Sequence, residues 1–400
     1  MSRLDELIEE LCPDGVEYKP LWEVTIWDKK FNAVERYKQK KVYTYPYMLA
    51  SDLFKLERKE GDVYLLSTGE KTGWTTEDLA GDNLCKGEVV AIPWGGTPNV
   101  KYYNGKFVTA DNRIATSIDT TVLCNKFLYY WMQNNIDTIA SFYRGSGIKH
   151  PNMKNILDME IPLPPLPVQQ EIVRILDNFT ELITEIESEI KLRKKQYDYY
   201  RDSLLSREEL NKLCPDGVEY KKIKQVYKRL KGTPITAGKM KEIDNPYGEI
   251  RIFAGGKTVI NAMEKDIPNV NITRVPAVLV QSRGVIDAVY YDKPFTFKNE
   301  MWAYTDDNTI AVKYLYYVLK NNLSHFRKTA SSMGSLPQIS LPDTEEFVIP
   351  LPPLPVQQEI VRILDNFTEL IEELTAELEA RQKQYEYYRD KLLSFKEVSS

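Results

Sequence analysis

The stretch that decides the fold is Ile161–Phe179, IPLPPLPVQQEIVRILDNF, which recurs letter for letter at Ile349–Phe367. The repeat extends over 46 residues, of which 36 are identical, including the first 23. A second repeat, LCPDGVEYK, stands at Leu11–Lys19 and again at Leu213–Lys221, and its Pro and Gly indicate a turn. Internal repeats of this kind show that one structural unit occurs twice. The chain is therefore expected to contain two copies of one module, related by a pseudo-two-fold axis.

Each constant repeat combines an extended elbow with a long amphipathic helix. The four prolines of Ile161–Pro167 cannot lie inside a helix, so this segment is predicted to be extended. From Val168 no Gly or Pro occurs until Pro215, which allows a helix of about 38 residues, or roughly 57 Å. Apolar residues recur at steps of four and three, as in a coiled-coil seam. The seam positions are 168, 172, 175, 179, 182, 186, 190, 197, 200 and 204, and again 356, 360, 363, 367, 370, 374, 378, 385, 388 and 392.

These apolar stripes need a partner, and the sequence leaves two possibilities. Each helix could pack on its own neighbouring domain. Alternatively, because the two seams are nearly identical, the helices could pair with each other, and the globular segment between them would let them run antiparallel. The second arrangement is favoured, and it would make the helices a spacer between the globular units.

Two diverged segments lie between the repeats and keep a common spacing of 188 residues. Trp94-Gly95-Gly96 stands opposite Ser282-Arg283-Gly284, and Phe107 stands opposite Phe295. The expected fold class is α+β, with two globular α/β domains separated by two long antiparallel coiled-coil helices. The expected boundaries are 1–16 (stub of the repeat), 17–160 (first domain), 161–206 (elbow and helix), 207–218 (linker), 219–348 (second domain) and 349–400 (elbow and helix).

Composition excludes several classes of protein. The 400 residues are 42% hydrophobic and 28% charged, which is an ordinary globular balance. No apolar stretch approaches the roughly 20 residues that span a bilayer, and the acidic start MSRLDELIEELC is no signal peptide, so a cytoplasmic location is expected. Four dispersed cysteines and two histidines, His150 and His325, predict neither disulfides nor a metal site.

The net charge of −5 is unevenly distributed. Residues 17–160 carry 19 Lys and Arg against 18 Asp and Glu, and residues 219–346 carry 19 against 14. The remainder, mostly the constant helices and the termini, is therefore strongly acidic. Because attraction to phosphate depends on the local field, an acidic chain of this kind is compatible with DNA binding by the diverged segments.

Glycine-containing polar loops in these segments are the candidates for DNA contact. Glycine lets the backbone approach a phosphate or a base edge, and Arg, Lys, Asn and Gln supply the paired donors that distinguish bases in the major groove. The candidates are Lys71, Thr72, Trp94, Gly95, Gly96, Thr97, Asn99, Arg113, Arg144, Ser146, Lys149, His150, Lys257, Thr258, Gln281, Ser282, Arg283, Lys298, Asn299, Arg327, Lys328, Ser331 and Ser332.

The motifs of common nucleic-acid enzymes are missing from the sequence. There is no Gly-x-x-x-x-Gly-Lys-Ser/Thr loop for ATP and no Asp/Asn-Pro-Pro-Tyr/Phe motif of an amino-methyltransferase. No Gly-rich cofactor loop follows a strand, and a Ser-His-Asp site is not indicated. The sequence therefore favours a recognition protein without catalytic residues or a cofactor of its own.

Over essentially its whole length the chain resembles the specificity subunits of type I restriction-modification systems. The duplicated IPLPPLPVQQEIVRILDNF joints carry the resemblance, together with the Gly-Ser-rich segments Gly145–Gly147 and Ser331–Ser335. The stretch AVLVQSRG at Ala277–Gly284 is similar to the pattern of the family's target-recognition domains. The first domain departs from it, because Gly95 stands where the second has Arg283.

The resemblance implies that each recognition domain reads one half of a split double-stranded DNA site, while the helices fix the gap between the halves. It also implies two modification subunits that carry S-adenosylmethionine, and ATP-dependent restriction subunits. Two alternatives remain open: a coiled-coil scaffold whose domains bind proteins, and a stand-alone nucleic-acid enzyme. Salt-dependent binding to duplex DNA would argue against the scaffold. Methyl transfer by the isolated chain would indicate the stand-alone enzyme.

Overall fold

A computed structural model describes residues 3–256, 258–267, 271–331 and 336–398 of the chain. The chain divides into two compact units. Unit 1 consists of Met1–Ile186 and Glu377–Ser400, and unit 2 consists of Glu187–Ala376. Each unit therefore contains one diverged segment and parts of both constant helices.

Unit 1 begins with short helices and strands that precede the first long helix. Its helices are α1 (Arg3–Leu11), α2 (Leu21–Val24), α3 (Ala50–Leu53), α4 (Glu77–Ala80), α5 (Asn125–Asn134), α6 (Ile136–Ser141) and α7 (Met153–Leu157). Its strands are β1 (Glu17–Pro20), β2 (Thr25–Trp27), β3 (Val63–Leu66), β4 (Gly73–Thr75), β5 (Cys85–Pro93), β6 (Lys101–Thr109), β7 (Asn112–Ser117), β8 (Tyr143–Arg144), β9 (His150–Pro151) and β10 (Glu160–Leu163).

The described residues of unit 1 form a six-stranded sheet in the order β2-β7-β5-β6-β3-β4. Strand β5 is central, and its residues from Val89 to Pro93 are all buried, as expected for a strand covered on both faces. Helix α5 covers the sheet with Phe127, Leu128 and Trp131, whose spacing places them on one helix face. Strand β1 pairs with β10, so the first residues of the predicted elbow form a strand, with Lys19 opposite Ile161.

Unit 2 repeats this order of elements. Its helices are α9 (Arg207–Leu213), α10 (Ile223–Val226), α11 (Ala237–Ile243), α12 (Thr309–Asn321), α13 (Leu323–Thr329) and α14 (Leu341–Glu345). Its strands are β11 (Glu219–Lys222), β12 (Lys228–Leu230), β13 (Ile250–Phe253), β14 (Val259–Ala262), β15 (Ala277–Gln281), β16 (Asp287–Tyr291), β17 (Phe295–Phe297), β18 (Trp302–Thr305) and β19 (Val348–Leu351).

The sheet of unit 2 is divided where that of unit 1 is continuous. The described strands form the orders β12-β18-β15-β16 and β14-β13-β17. The residues that make the single strand β6 in unit 1 correspond to both β16 and β17, and Pro294 stands at the break. Proline cannot donate to a strand ladder, which explains the interruption. The parallel pair Val108 with Leu65 corresponds to Thr296 with Ile252, at a spacing of 188 residues for the first member and 187 for the second.

The two long helices are confirmed, and both begin slightly earlier than predicted. Helix α8 (Leu166–Leu204) and helix α15 (Leu354–Leu392) each have 39 residues. Both therefore include a proline at their second position, Pro167 or Pro355, where the missing N–H is not needed by the helix. The extended part of each elbow is correspondingly shorter.

The start of each long helix packs on the domain next to it. In unit 1, Val168, Ile172 and Leu176 are fully buried in the same core as α5. Leu176 thus takes the place that the seam assigned to Ile175. Asp177 accepts hydrogen bonds from Tyr130 (2.6 Å) and Lys126 (2.7 Å). In unit 2, Asp365 contacts Tyr317 (2.5 Å) and Lys313 (2.6 Å) in the same way.

Beyond this joint, each unit contains contacts between α8 and α15. In unit 1 the Phe179 ring stacks on Tyr388, with 5.6 Å between the ring centroids. In unit 2 the Phe367 ring stacks on Tyr200 at 5.2 Å. The beginning of one helix thus meets the end of the other, which is the antiparallel arrangement. Both arrangements that the sequence left open occur, in successive parts of the same helix.

Within the described ranges, no helix combines the length and the apolar character needed to cross a bilayer.

Candidate nucleic-acid interface

Three short segments of unit 1 lie side by side beyond the end of β5. The Gly96 N–H donates to the Lys149 carbonyl (3.1 Å), and the His150 ring lies 2.7 Å from the Trp94 carbonyl through Nδ1. Arg144 of β8 pairs with His150 of β9 on the other side. We call residues 94–96, 144 and 148–150 the ribbon of unit 1. Its central position is His150, with Gly95 at one edge and Arg144 at the other.

Unit 2 contains the same arrangement after β15. The Gly284 N–H donates to the Pro337 carbonyl (2.9 Å), 188 residues after the Gly96 bond. Arg283 pairs with Gln338, and Ser331 pairs with Gln338 from the other side. Both Gly96 and Gly284 have a positive φ, which glycine adopts without strain. Residues 282–284, 331 and 336–338 form the ribbon of unit 2, with Arg283 and Ser331 at its edges.

A cleft of about 520 Å³ adjoins the ribbon of unit 1. It lies between the residues that follow β2 and the start of α7. Its lining is rich in basic and aromatic side chains, namely Lys29, Lys30, Phe31, Trp94, Arg113, Arg144 and His150. Such a combination of cationic and aromatic groups suits an anionic ligand that also has flat rings.

The wall of this cleft is held by Arg113. Its side chain is 6% exposed, and its guanidinium lies 3.8 Å from the centroid of the Trp94 ring. It donates to Asp111 (2.9 Å), while its Nε has no hydrogen-bond partner among the described residues. Asp28 lies behind the wall and accepts from the Ile114 N–H (3.1 Å). Burial raises the pKa of Asp28 to about 6, against the lowering effects of the Ile114 bond and of Lys29 and Arg113.

Unit 2 has a cleft of about 590 Å³ in the equivalent place. It lies between the end of β12 and the start of α14, and its lining includes Arg229, Lys231, Asn271, Asn299, Glu300, Trp302 and Gln338. The Trp302 indole donates to Thr344 (2.8 Å) and so fixes the wall. The two clefts therefore share their position in the fold but differ in the side chains that they present.

The predicted residues of unit 1 fall into two groups. Gly95, Gly96, Arg144, Lys149 and His150 belong to the ribbon, and Ser146 lies exposed in the loop between β8 and β9. The other group lies in two loops, one after β3 and one after β5. Asn99 connects them, because it donates to the Thr68 carbonyl (2.9 Å) and to the Thr97 carbonyl (3.1 Å). Lys71 and Thr72 stand in the first of these loops, where Lys71 forms an ion pair with Glu57 (2.9 Å).

In unit 2, several predicted residues are buried or bonded within the domain, although Arg327 among them is exposed. Gln281 and Ser282 are buried, and Ser282 donates to the Glu300 carbonyl (2.6 Å). Arg327 donates to the Ile286 carbonyl (3.2 Å) from α13. Lys298 forms an ion pair with Glu300 (2.9 Å).

The remaining predicted residues of unit 2 are exposed or undescribed. Thr258, Arg283, Asn299, Lys328 and Ser331 are exposed. The predicted residues Lys257 and Ser332 lie outside the described residues.

Sequence reasoning missed the basic residues next to β2 and β12. Lys29, Lys30, Arg229 and Lys231 line the clefts but stand more than fifty residues before the ribbon in the chain. It also missed a basic and aromatic segment between β2 and β3, whose exposed members are Arg36, Tyr37, Lys40, Lys41, Tyr43 and Tyr47. The alternation of cationic and aromatic residues in this segment was a usable signal.

Comparison with known protein families identifies both halves of the chain. The family described as type I restriction modification DNA specificity domain matches residues 13–193 and again 215–380. The chain is 30% identical to the EcoR124I/EcoR124II specificity subunit of Escherichia coli, over 99% of this chain and 97% of that protein. It is 31% identical to a putative type I restriction enzyme specificity subunit of Haemophilus influenzae, over 78% and 83% of the two chains.

A solved structure has the same fold. The S subunit of a type I restriction-modification system from M. genitalium superimposes with a TM-score of 0.69, covering 95% of this chain and 96% of that one. The sequences are 19% identical. The succession of elements described above is therefore that of a known fold.

Proposed function

Because the chain belongs to the family of type I restriction-modification DNA specificity subunits, we propose that it reads a bipartite, asymmetric DNA site, with one recognition domain on each half. Specificity subunits are non-catalytic and act with modification and restriction subunits on DNA, and this chain is one of them. The recognition domains of the proposal are residues 17–160 and 219–348. The site of action is the cytoplasm, where these partners meet DNA.

One observation carries the proposal. The ribbon and its cleft recur in both units with the same backbone bonds, while their side chains differ, as at Gly95 and Arg283. A constant frame with different side chains is what two readers of different sequences require. In this proposal lysines and arginines around the cleft hold phosphate, and exposed ribbon residues meet base edges.

The long helices set the distance between the two half-sites in this proposal. Two readers on a stiff connection reach only half-sites at a matching separation and helical phase. The antiparallel contacts within each unit, such as Phe179 with Tyr388, support a paired connection.

Two modification subunits are the proposed partners of the constant helices. Tyr199 and Tyr387 are 68% and 63% exposed and occupy equivalent positions in α8 and α15. Exposed aromatic residues are frequent anchors of protein interfaces, and a duplicated anchor fits two identical partners. S-adenosylmethionine and ATP belong to the partner subunits.

Mapping methylated adenines tests the proposal. The chain is assembled with its modification subunits and incubated with genomic DNA and S-adenosylmethionine, and methylated positions are read by sequencing. We expect a single sequence with two unlike halves and a fixed gap. Methylation of one continuous sequence, or of no defined sequence, would contradict the proposal.

A further inference from the structure

The two ribbons carry their arginine at opposite edges. In unit 2 the edge that follows β15 is Arg283, and the other edge is Ser331. In unit 1 the edge that follows β5 is Gly95, and the other edge is Arg144. Each ribbon therefore presents one arginine, but the arginine has moved from one outer segment to the other.

Neighbouring side chains lie close to the first edge of the ribbon in unit 1. A Cβ atom on Gly95 would lie 2.8 Å from Ile148 Cγ2 and 3.1 Å from His150 Cε1. Both distances are shorter than ordinary carbon contacts, so a larger residue would displace Ile148 or the His150 ring. The His150 ring is in turn held against the Trp94 carbonyl. A side chain at position 95 would therefore require the exposed Ile148 side chain or the His150 ring to shift.

Both arginines are available to a ligand. Arg144 and Arg283 are exposed, and in the part of the chain that the structure describes neither guanidinium has a hydrogen bond, an ion pair or an aromatic contact. This distinguishes them from Arg113, Arg229 and Arg327, which have internal partners. An arginine whose side chain makes no contact within the fold, but whose backbone is held in place, is suited to recognising a DNA base.

We propose that Arg144 and Arg283 are the specificity-determining residues of units 1 and 2, and that each binds the major-groove edge of one guanine. The proposal rests on the proposed function and names the residues that perform it. The guanidinium fork matches the O6 and N7 acceptors of guanine. Neighbouring strands lie about 4.8 Å apart, so the two edges of a ribbon are about 10 Å apart, or roughly three base pairs. The two guanines should consequently occupy different places within their half-sites.

Single substitutions test the assignment in the complex with the modification subunits. With Arg144→Ala we expect discrimination at one base pair of one half-site to fall roughly 10- to 100-fold, while the other half-site is still read. With Arg283→Ala we expect the same loss at one base pair of the opposite half-site. The measurement is the methylation rate on DNA duplexes that differ at one position each.

Arg36→Ala is the matched control. Arg36 is also an exposed arginine of unit 1 without a partner among the described residues, but it lies outside the ribbon. Its loss should weaken binding to all sequences alike and reduce the slope of log affinity against log salt by about one. If Arg144→Ala or Arg283→Ala behaves like this control, or changes nothing, the assignment is wrong.

A transplanted arginine provides a second test. Arg283→Gly combined with Ser331→Arg gives unit 2 the edge pattern of unit 1. We expect the guanine preference to leave its original base pair and to shift by two or three base pairs within the same half-site. An unchanged preference would overturn the assignment. The proposed function is tested separately from this assignment. It is wrong if the complex without substitutions methylates no bipartite sequence.

Discussion

The side chains around the clefts are of two kinds. Some are hydrogen-bonded in the wall, and others are exposed. Arg113 and Trp302 are bonded into the wall, whereas Arg144 and Arg283 are exposed and unbonded among the described residues. The sequence placed Arg113 and Arg144 in one class because both are arginines in polar surroundings. Only the pairing of β5 with β7 shows that Arg113 lies under the Trp94 ring.

Asp28 should make unit 1 less stable as the pH rises. Its pKa in the folded chain, about 6, lies above the ordinary value of 3.8. The folded state therefore holds a proton that the unfolded state has lost between these values, and stability falls as the pH rises through this window. Asp28→Asn should raise the stability of unit 1 at pH 8 by about 1–3 kcal/mol and leave it nearly unchanged at pH 4.

The melting temperature at the two pH values measures this effect. Asp292→Asn, which changes an exposed aspartate of unit 2, is the control and should have little effect at either pH. A loss of stability in Asp28→Asn at pH 8 would mean that the ionised carboxylate stabilises the wall after all.

At the scale of elements, the long helices were the most predictable part of the fold. Their seam and the absence of Gly and Pro were visible in the sequence. The sequence could not show that the first turns belong to the domain core, because Val168 and Ile172 also fit the coiled-coil seam and only the burial of Leu176 in place of Ile175 departs from it. Strand β10 was also hidden, since Pro162 within it and the prolines that follow argue against a regular element until β1 is placed beside it.

The basic segment between β2 and β3 should contribute phosphate contacts to DNA binding by unit 1. Arg36, Lys40 and Lys41 are exposed, and within the described ranges none forms an ion pair. Replacing all three by Ala should lower the slope of log affinity against log salt by up to about 2.7. The methylated sequence should stay the same. Fluorescence anisotropy with a labelled duplex at several salt concentrations measures the slope, and an altered methylated sequence would show that this segment reads bases.

The tyrosine at each joint between domain and helix should stabilise its unit. Tyr130→Phe removes a hydrogen bond to Asp177, and Tyr317→Phe removes the equivalent bond to Asp365. Each change should cost about 1.5–3 kcal/mol, because the acceptor is a carboxylate. Hydrogen exchange can assign the loss to one unit, and exchange that changes equally in both units would contradict a local role.

At the scale of the whole molecule, the duplication was evident from the sequence, while the difference between the copies was not. The identical segments 161–179 and 349–367 predicted two modules. The exchange of arginine between ribbon edges became visible only when β8, β9 and the loop after β5 were placed together. Residues that meet across three separate segments leave no contiguous pattern to read.

Lengthening both long helices should widen the gap in the recognised DNA. Seven residues inserted after Glu189 and after Glu377, which are equivalent positions, preserve the apolar spacing and add about 10 Å. At 3.4 Å per base pair the gap should grow by about three base pairs, with both half-sequences unchanged. Methylation mapping measures the gap. Altered half-sequences with an unchanged gap would show that the helices do not determine the distance.

The burial of Val168, Ile172 and Leu176 in the core of unit 1 has a mechanical consequence. A helix whose first turns are packed in a domain core cannot rotate relative to that domain, so a rotation of the domain is transmitted to the helix. Any adjustment to DNA of slightly different pitch must then come from elastic bending or twisting farther along the helix, where fewer side chains are enclosed. The stiffness of the middle of the helices, more than flexibility at the joint, would then determine how strongly a DNA site with a different gap is rejected.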